Sequence, residues 1–334
     1  MGFLRSNFRA LSWGLCALAW ALSAGVQAQP APTVTKATYT YRTVGTVQLK
    51  VDVYDPSVLQ WGQQRPVLLF VHGGGWACGN RDAFLDVPRW IAQNYGVVTV
   101  SAEYRLAPIT DAVVENGRIV SAPGGMDGCT PGSFPYDNLG LPGNRAAFPA
   151  QLEDLQTLMW QLRLNAPALR INPNKIAVLG ASAGGHLAGM LGATNATIGT
   201  SPGVTYSSRA NAVVSVSGPW DLSAVDPVAD PSTVGILRNL FGGTPTQQQL
   251  QLASPGLQNA GADFPTTLFI HGASDTLVPA SQSVLACARM SSCFGGKPEI
   301  VITPAGVDPH DALYLLQVRL DPFVAFMSAF ISAP

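Results

Sequence analysis

Apolar residues in this chain concentrate in short segments, continuous at Val67–Val71 and with an occasional polar residue at Val97–Ser101, Ile176–Gly180, Asn211–Val216, Thr267–Ile270 and Glu299–Thr303. A run of this kind, bounded by Gly, Pro or Asn, is the pattern of a strand buried on both faces of a parallel sheet. Two earlier segments behave differently. Thr38–Val44 and Val47–Val53 alternate apolar with polar positions around Gly45, which predicts an antiparallel hairpin at a sheet edge. Helical spacing fills the intervals, over about 147–164, from Ala183 onward, over 281–290 and from Asp311 to about Ser332. Strands alternating with helices predict an α/β fold with a mostly parallel central sheet, helices on both faces and a small lid from insertions.

Two intervals break the rhythm. Residues 108–147 are irregular and rich in Pro, Gly, Asn and Asp, and a loop of that length in a compact domain is expected to be a lid or a disordered excursion. Residues 219–263 are mixed, with a small helical excursion expected around Ile236–Gly243. Both are expected to wall a pocket.

The first residues follow another logic. Arg5 and Arg9 precede an apolar run from Leu11 to about Ala24, followed by Val26-Gln27-Ala28, which reads as a secretory signal peptide cleaved after Ala28. The run is shorter than the roughly 18–20 residues a spanning helix needs, so no integral membrane anchor is expected. The organisation predicted is a signal at 1–28 and one catalytic domain at 29–334, secreted or periplasmic. With 334 residues, 47% hydrophobic and 12% charged, the chain can bury a large core, and 19 basic against 20 acidic residues leave no basic run to follow a phosphate backbone. Nucleic acid is not an expected partner.

Removing the leader leaves Cys78, Cys129, Cys287 and Cys293, an even number for which an oxidising compartment makes pairing the default. Four cysteines allow three connectivities. A local Cys287–Cys293 bridge at the end of the helix near 290 would leave Cys78 with Cys129, tying the 108–147 insertion beside the chain that follows Val71.

The chemistry is concentrated where strand patterns stop. Gly180-Ala181-Ser182-Ala183-Gly184 joins a strand to an Ala/Leu-rich helix, which is the G-x-S-x-G turn that holds a serine nucleophile above a sheet edge. The amide of Ala183 would then lie at the helix N-terminus, where unpaired donors favour a developing oxyanion. His72-Gly73-Gly74-Gly75-Trp76 ends an earlier strand and offers Gly74 and Gly75 as further donors. Asp275 follows another strand end. The order Ser, Asp, His is expected for this arrangement, and the base is found by elimination among four histidines. His72 belongs to the glycine turn, His186 lies one helical turn beyond Ser182, and His271 precedes the acid, which leaves His310. Asp308 and Asp311 are poor acids because a neighbour in sequence cannot easily reach the far ring nitrogen. Trp76 and Trp220 are candidates to line the substrate pocket. Asp127, Asp137 and Asn138 match no calcium-loop spacing, so no metal is expected.

With H-G-G-G-W at 72–76, Y-R-L-A-P at 104–108, F-P-A-Q-L-E-D at 148–154 and G-A-S-A-G-G-H-L-A at 180–188, the chain resembles the α/β-hydrolase superfamily. It is most similar to carboxylesterases related to hormone-sensitive lipase, and among them to bacterial feruloyl and acetyl-xylan esterase-like enzymes. The resemblance runs from about residue 38 to the C-terminus. That branch usually carries cap helices before its first strand and an acidic residue before the serine, where this chain has the hairpin and Ala181. It also more often flanks the base histidine with glycine, where Pro309 and Asp311 stand here. The resemblance implies a cofactor-free serine esterase acting on small-molecule or polysaccharide-linked esters, acetyl or hydroxycinnamoyl, through an acyl-enzyme. An amidase or serine peptidase of the same fold and a non-catalytic binding protein on a hydrolase scaffold are the alternatives. Nothing in the sequence specifies an oligomeric state.

Overall fold

The computed structural model describes residues 33–56, 64–109, 113–115, 118–121, 142–195, 197–201, 204–225, 231–258 and 263–333, all within one compact unit, Pro32–Pro334. The leader expected at 1–28, Cys129 and most of the 108–147 insertion lie outside the described residues.

The strands are β1 (Val34–Val44), β2 (Val47–Pro56), β3 (Arg65–Val71), β4 (Val98–Ala102), β5 (Val113–Glu115), β6 (Arg118–Ser121), β7 (Ile171–Ala181), β8 (Thr197–Ser201), β9 (Val204–Ser207), β10 (Ala212–Val216), β11 (Thr266–Gly272) and β12 (Glu299–Val301). The α-helices are α1 (Val87–Tyr95), α2 (Ala150–Leu164), α3 (Ala166–Leu169), α4 (Ala183–Ala193), α5 (Pro231–Phe241), α6 (Gln247–Leu252), α7 (Pro255–Gln258), α8 (Ser281–Arg289), α9 (Ala312–Val318) and α10 (Leu320–Ser332). Eight strands form the main sheet in the order β1-β2-β4-β3-β7-β10-β11-β12, while β5 with β6 and β8 with β9 make two separate hairpins. β1 and β2 pair antiparallel at the edge, and every pairing from β4 to β12 is parallel. The expected α/β-hydrolase sheet is therefore present.

Side chains alternate across that sheet and so build two cores. Val67, Leu69 and Val71 of β3 face Leu155, Leu158 and Met159 of α2 and Leu187 and Ala188 of α4. Leu68 and Phe70 face Phe84, Ile91, and Phe323 and Phe326 of α10. Every residue of α4 is buried. Its Ala and Gly content lets the helix lie close against the strands.

The structure departs from expectation at two helices. No helix is expected from the sequence over 87–95, but β3 and β4 are parallel neighbours, and parallel neighbours need a crossover, which α1 supplies. Pro88 near its start and Gly96 in the left-handed region at its end mark its limits. The single C-terminal helix expected is two helices bent by 78°. Pro322 has no N–H to continue a helix from α9 and is tolerated only in the first turn of α10. Asp311 starts α9 by accepting from the N–H groups of Leu313 and Tyr314.

Candidate active site

Ser182 stands between β7 and α4 at φ 53 and ψ −121, a left-handed conformation that costs a residue with a side chain about 1–3 kcal/mol. What maintains it is steric. A Cβ on Gly184 would lie 2.0 Å from the Val71 carbonyl oxygen, so α4 can start here only if that position is bare. The Ser182 N–H donates to Val216 O at 2.8 Å, and His186 N–H donates to Ser182 O at 3.1 Å, so both peptide neighbours of the serine are tied down.

The glycine turn comes from the adjacent strand β3. A Cβ built on Gly73 would lie 3.1 Å from Ser182 Cβ, which brings the turn directly against the serine. Gly74 and Gly75 both take positive φ, 101° and 55°. Among the described residues, the N–H groups of Gly74, Gly75 and Ala183 have no acceptor, while the Gly74 carbonyl is occupied by the N–H groups of Ala77 and Cys78. His72 braces the turn as expected: its ring stacks on Tyr104 at 4.1 Å between centroids, Nδ1 meets Gly73 O at 2.8 Å, and Tyr104 Oη donates to His72 O. Burial pushes the His72 imidazole down to about 4 and keeps it neutral.

The residues expected as acid and base come from the far side of β10. Asp275 follows β11, and its Oδ1 accepts from the N–H groups of Leu277 and Val278 at 3.0 and 2.9 Å. Its Oδ2 takes His310 Nδ1 at 2.6 Å and lies 3.4 Å from His271 Nε2. Burial opposes the charge on Asp275, but the hydrogen bonds from His271, His310 and Val278 outweigh it and hold the carboxyl well below the usual carboxylate range. His310 Nε2 is buried with no hydrogen-bond partner. Ser182, Ser217 and the β11 loop leave neighbouring strands at one level, since Ala181, Val216 and Ile270 are in register. That level is the carboxyl end of the parallel strands, where open α/β sheets bind ligands. No hydrogen bond joins Ser182 to His310 here; bonds of this kind commonly tighten only around substrate. The rival carboxylates are otherwise engaged, Asp308 with the His310 N–H and Asp311 with the start of α9.

Trp76 and Trp220 are placed differently from expectation. They are 3% and 1% exposed, and each indole N–H is satisfied inside the protein, Trp76 by His186 Nδ1 and Trp220 by Ser215 Oγ. Trp220 packs on Phe264 and Phe269. This corrects the pocket-lining role for both: as folded they are packing residues, because a buried indole is held by its partners on all sides. The disulfide Cys287–Cys293 is present, joining the end of α8 to the chain before β12. Cys78 is also disulfide-bonded, and Cys129, its expected partner, lies outside the described residues, as do Asp127, Asp137 and Asn138. Among the described residues no cluster of His, Cys, Asp and Glu could hold a metal ion, and no single helix is long and apolar enough to cross a membrane.

Three positions carry the site without having been singled out as doing so. His271 touches the acid it precedes. Asp154 is fully buried and receives Arg105 Nε at 2.9 Å and Arg42 Nη1 at 2.7 Å, which locks the Y-R-L-A-P turn to α2 and the edge hairpin. Ser217 has φ 49 and a buried hydroxyl without a partner, directly after β10. Of these only Asp154 had a sequence signal, as the last residue of F-P-A-Q-L-E-D.

Comparisons with known proteins bear on the fold and on the kind of protein it resembles. A family model described as BD-FAE matches residues 142–290, and one described as alpha/beta hydrolase fold matches 68–113. Carboxylesterase NlhH of Mycobacterium tuberculosis is 29% identical over 158 residues, 47% of this chain and 38% of its own length. The match thus spans well under half of that curated relative. Esterase Est2 of Thermogutta terrifontis, solved with bound propionate, superposes with a TM-score of 0.59 at 22% identity, covering 91% of this chain and 97% of the other. An acetyl ester-xyloside bifunctional hydrolase of Caldicellulosiruptor lactoaceticus gives 0.62 at 20% identity, covering 89% and 97%. The eight-stranded sheet, the strained serine after the fifth strand in the sheet order and the structural neighbours give the chain the α/β-hydrolase fold, and two family models of hydrolase type match separate parts of it.

Proposed function

We propose that the protein is a secreted serine carboxylesterase that works through an acyl-enzyme, with residues 29–334 as one catalytic domain. The observation that carries this is the Asp275–His310 pair: a 2.6 Å bond to Nδ1 leaves a buried, unpartnered Nε2 at the strand-end level from which the strained Ser182 projects. An unpaired buried ring nitrogen is costly unless something completes it, and a serine hydroxyl in the presence of substrate does so.

In this reading His310 Nε2 takes the Ser182 proton as Oγ attacks the ester carbonyl. Asp275 holds the Nδ1–H tautomer and stabilises the imidazolium. The free N–H groups of Gly74, Gly75 and Ala183 receive the negative oxygen. His310 then protonates the departing alcohol, and water enters by the same route to release the acid. The segment from Trp220 to Gln258, with its helices α5, α6 and α7, is proposed to wall the substrate side of the pocket; most of the 108–147 insertion expected to share that task lies outside the described residues. Acetyl or hydroxycinnamoyl esters on plant polysaccharide are the proposed substrates; the acetyl ester-xyloside hydrolase among the structural relatives supports that class. The Cys287–Cys293 disulfide supports an oxidising compartment.

The test is hydrolysis of an aryl acetate beside the matching anilide, with Ser182→Ala as control and a fluorophosphonate probe for Ser182. Ester turnover lost in Ser182→Ala, with no loss of folding, is the expected result. A faster anilide would make the protein an amidase, and no labelling with no turnover would make it a binding protein.

A further inference from the structure

His186 lies four residues past Ser182 on α4, takes no part in the proposed triad and is completely buried. Both its ring nitrogens are nonetheless committed. Trp76 Nε1–H donates to Nδ1 at 3.2 Å, and Nε2 meets the Ala253 carbonyl at 2.6 Å. An indole nitrogen can only donate and a carbonyl can only accept, so the ring must be neutral with its proton on Nε2. Burial enforces that state by pushing the imidazole down to about 4. The indole of Trp76 meets the ring edge-on at 5.1 Å, and Phe148 closes another side at 6.1 Å.

These contacts join three separate parts of the chain. Trp76 ends the glycine turn and is itself at φ 61, following Gly74 and Gly75 at positive φ. Three consecutive residues in that region do not hold such a path unaided, because an isolated turn would relax toward commoner conformations. The Trp76 side chain is an anchor beyond the last glycine, and the thing it is anchored to is the helix that begins at the nucleophile. Ala253 belongs to the cover between α6 and α7. We infer that His186 is a positioning residue for the oxyanion turn: through its Nδ1 it fixes Trp76, and through Trp76 the amides of Gly74 and Gly75, relative to Ser182. Its Nε2 contact to Ala253 ties the cover to the same ring. This inference rests on the esterase reading, since it assigns the purpose of the anchoring.

The two halves of the ring can be removed separately. Asparagine at 186 puts an oxygen near the position of Nδ1 but cannot reach Ala253, whereas glutamine puts an amide near Nε2 and leaves the indole without its acceptor. Trp76→Phe keeps a ring in place and deletes only the donor. Losing one oxyanion donor outright costs about 10²–10³ in kcat, so loosening two without deleting them should cost roughly tenfold. Trp76→Phe and His186→Gln are each expected to lower kcat on an aryl acetate about tenfold with KM within about twofold. The double variant should be no slower than either single, and His186→Asn should stay within about threefold of wild type.

A purely structural role would lower thermal stability in all three and leave kcat per folded molecule unchanged, which would overturn the inference. So would losses that multiply in the double variant, or equal losses for Asn and Gln at 186. If the His186 variants do not fold, Trp76→Phe decides alone: unchanged kcat overturns the proposal, and a tenfold loss at constant KM supports it. The wild type is measured first, so a wild type inert toward the ester and the probe sinks the esterase reading, while an active wild type with an equally active Trp76→Phe sinks only this inference.

Discussion

The two halves of the site are held by different forces. On the nucleophile side, backbone is pressed against backbone: Ser182 keeps a strained conformation because α4, β3 and the glycine turn approach closely enough that a methyl group on Gly184 would sit 2.0 Å from an oxygen. On the acid side, Asp275 is held by hydrogen bonds from Leu277, Val278 and His310, with His271 beside it. Sterics do not titrate and hydrogen bonds to a carboxylate do. A site split in this way keeps its nucleophile rigid and leaves its electrostatics adjustable, and each half should fail in its own manner.

The sharpest separation comes from Asp275→Asn. The amide preserves shape, and it can keep accepting from Leu277 and Val278 with its oxygen, but its other end then faces His310 as a donor and favours the wrong imidazole tautomer. A drop in kcat of about 10⁴ with a fold that still melts cooperatively is expected. Stopped assays on purified variant would check it, and a loss under tenfold would remove Asp275 from the acid's role.

Gly184→Ala should do the reverse. The clash is with backbone that cannot rotate away, so a destabilisation above about 3 kcal/mol is expected, visible in urea melts or as loss of soluble protein, with no special effect on chemistry in what remains folded. A variant as stable as wild type would mean the elbow is held by something other than close approach.

How much of this was readable beforehand follows the same division. Sterically determined parts write themselves into residue type: Gly73, Gly74, Gly180 and Gly184 are where side chains cannot fit, and continuous apolar runs such as Val67–Val71 are where both faces are covered. The pairing of Asp275 with His310 was also legible, because four histidines and the strand-end rule leave one candidate. The other hydrogen-bonded parts were not. Nothing in the sequence says that His271 reaches back to Asp275, that Asp154 gathers Arg42 and Arg105 from two distant segments, or that Trp76 spends its N–H on His186. These pairings exist only once the chain is folded. Trp220 was misread for a related reason, since a tryptophan after a strand end looks the same in sequence whether it faces substrate or core.

Acid should attack the halves in separate ranges. His72 and His186 are held neutral, near pKa 4 against about 6.5 unfolded, so between those values the unfolded chain binds protons that the folded chain refuses. Stability from this source is fully present above about pH 6.5 and is lost as pH falls toward 4, by up to about 1.4 kcal/mol per pH unit for each ring. Asp275 is depressed in the folded state as well, by hydrogen bonds that overcome its burial, so its contribution runs in the same direction but is intact above roughly pH 4 and is lost only below that. Denaturation at a series of pH values should show a decline beginning near 6.5 in wild type. Asp275→Asn should leave that limb in place and His186→Asn should make it shallower. A stability that is flat from pH 7 to 5 would sink the assignment of neutral buried rings.

The smallest expected effect tests whether the acid side has depth behind it. Ser283 is fully buried on α8, and its Oγ lies 2.7 Å from His271 Nδ1, while His271 Nε2 meets the Val278 carbonyl at 2.8 Å. With Nε2 donating to that carbonyl, the serine hydroxyl must donate to Nδ1, and the ring becomes a strut that holds the turn from which Leu277 and Val278 direct their N–H groups at Asp275. Ser283→Ala deletes one partner of a buried nitrogen, at about 1–2 kcal/mol. The turn is also held by Asp275 itself, so kcat should fall by no more than a fewfold. Melting temperature and kcat measured on the same preparation separate the outcomes. If stability falls while kcat holds, the acid's geometry is over-determined by its own hydrogen bonds. If kcat falls by a hundredfold, the strut rather than the carboxylate sets that geometry, and the acid side would be as rigidly built as the elbow it was contrasted with.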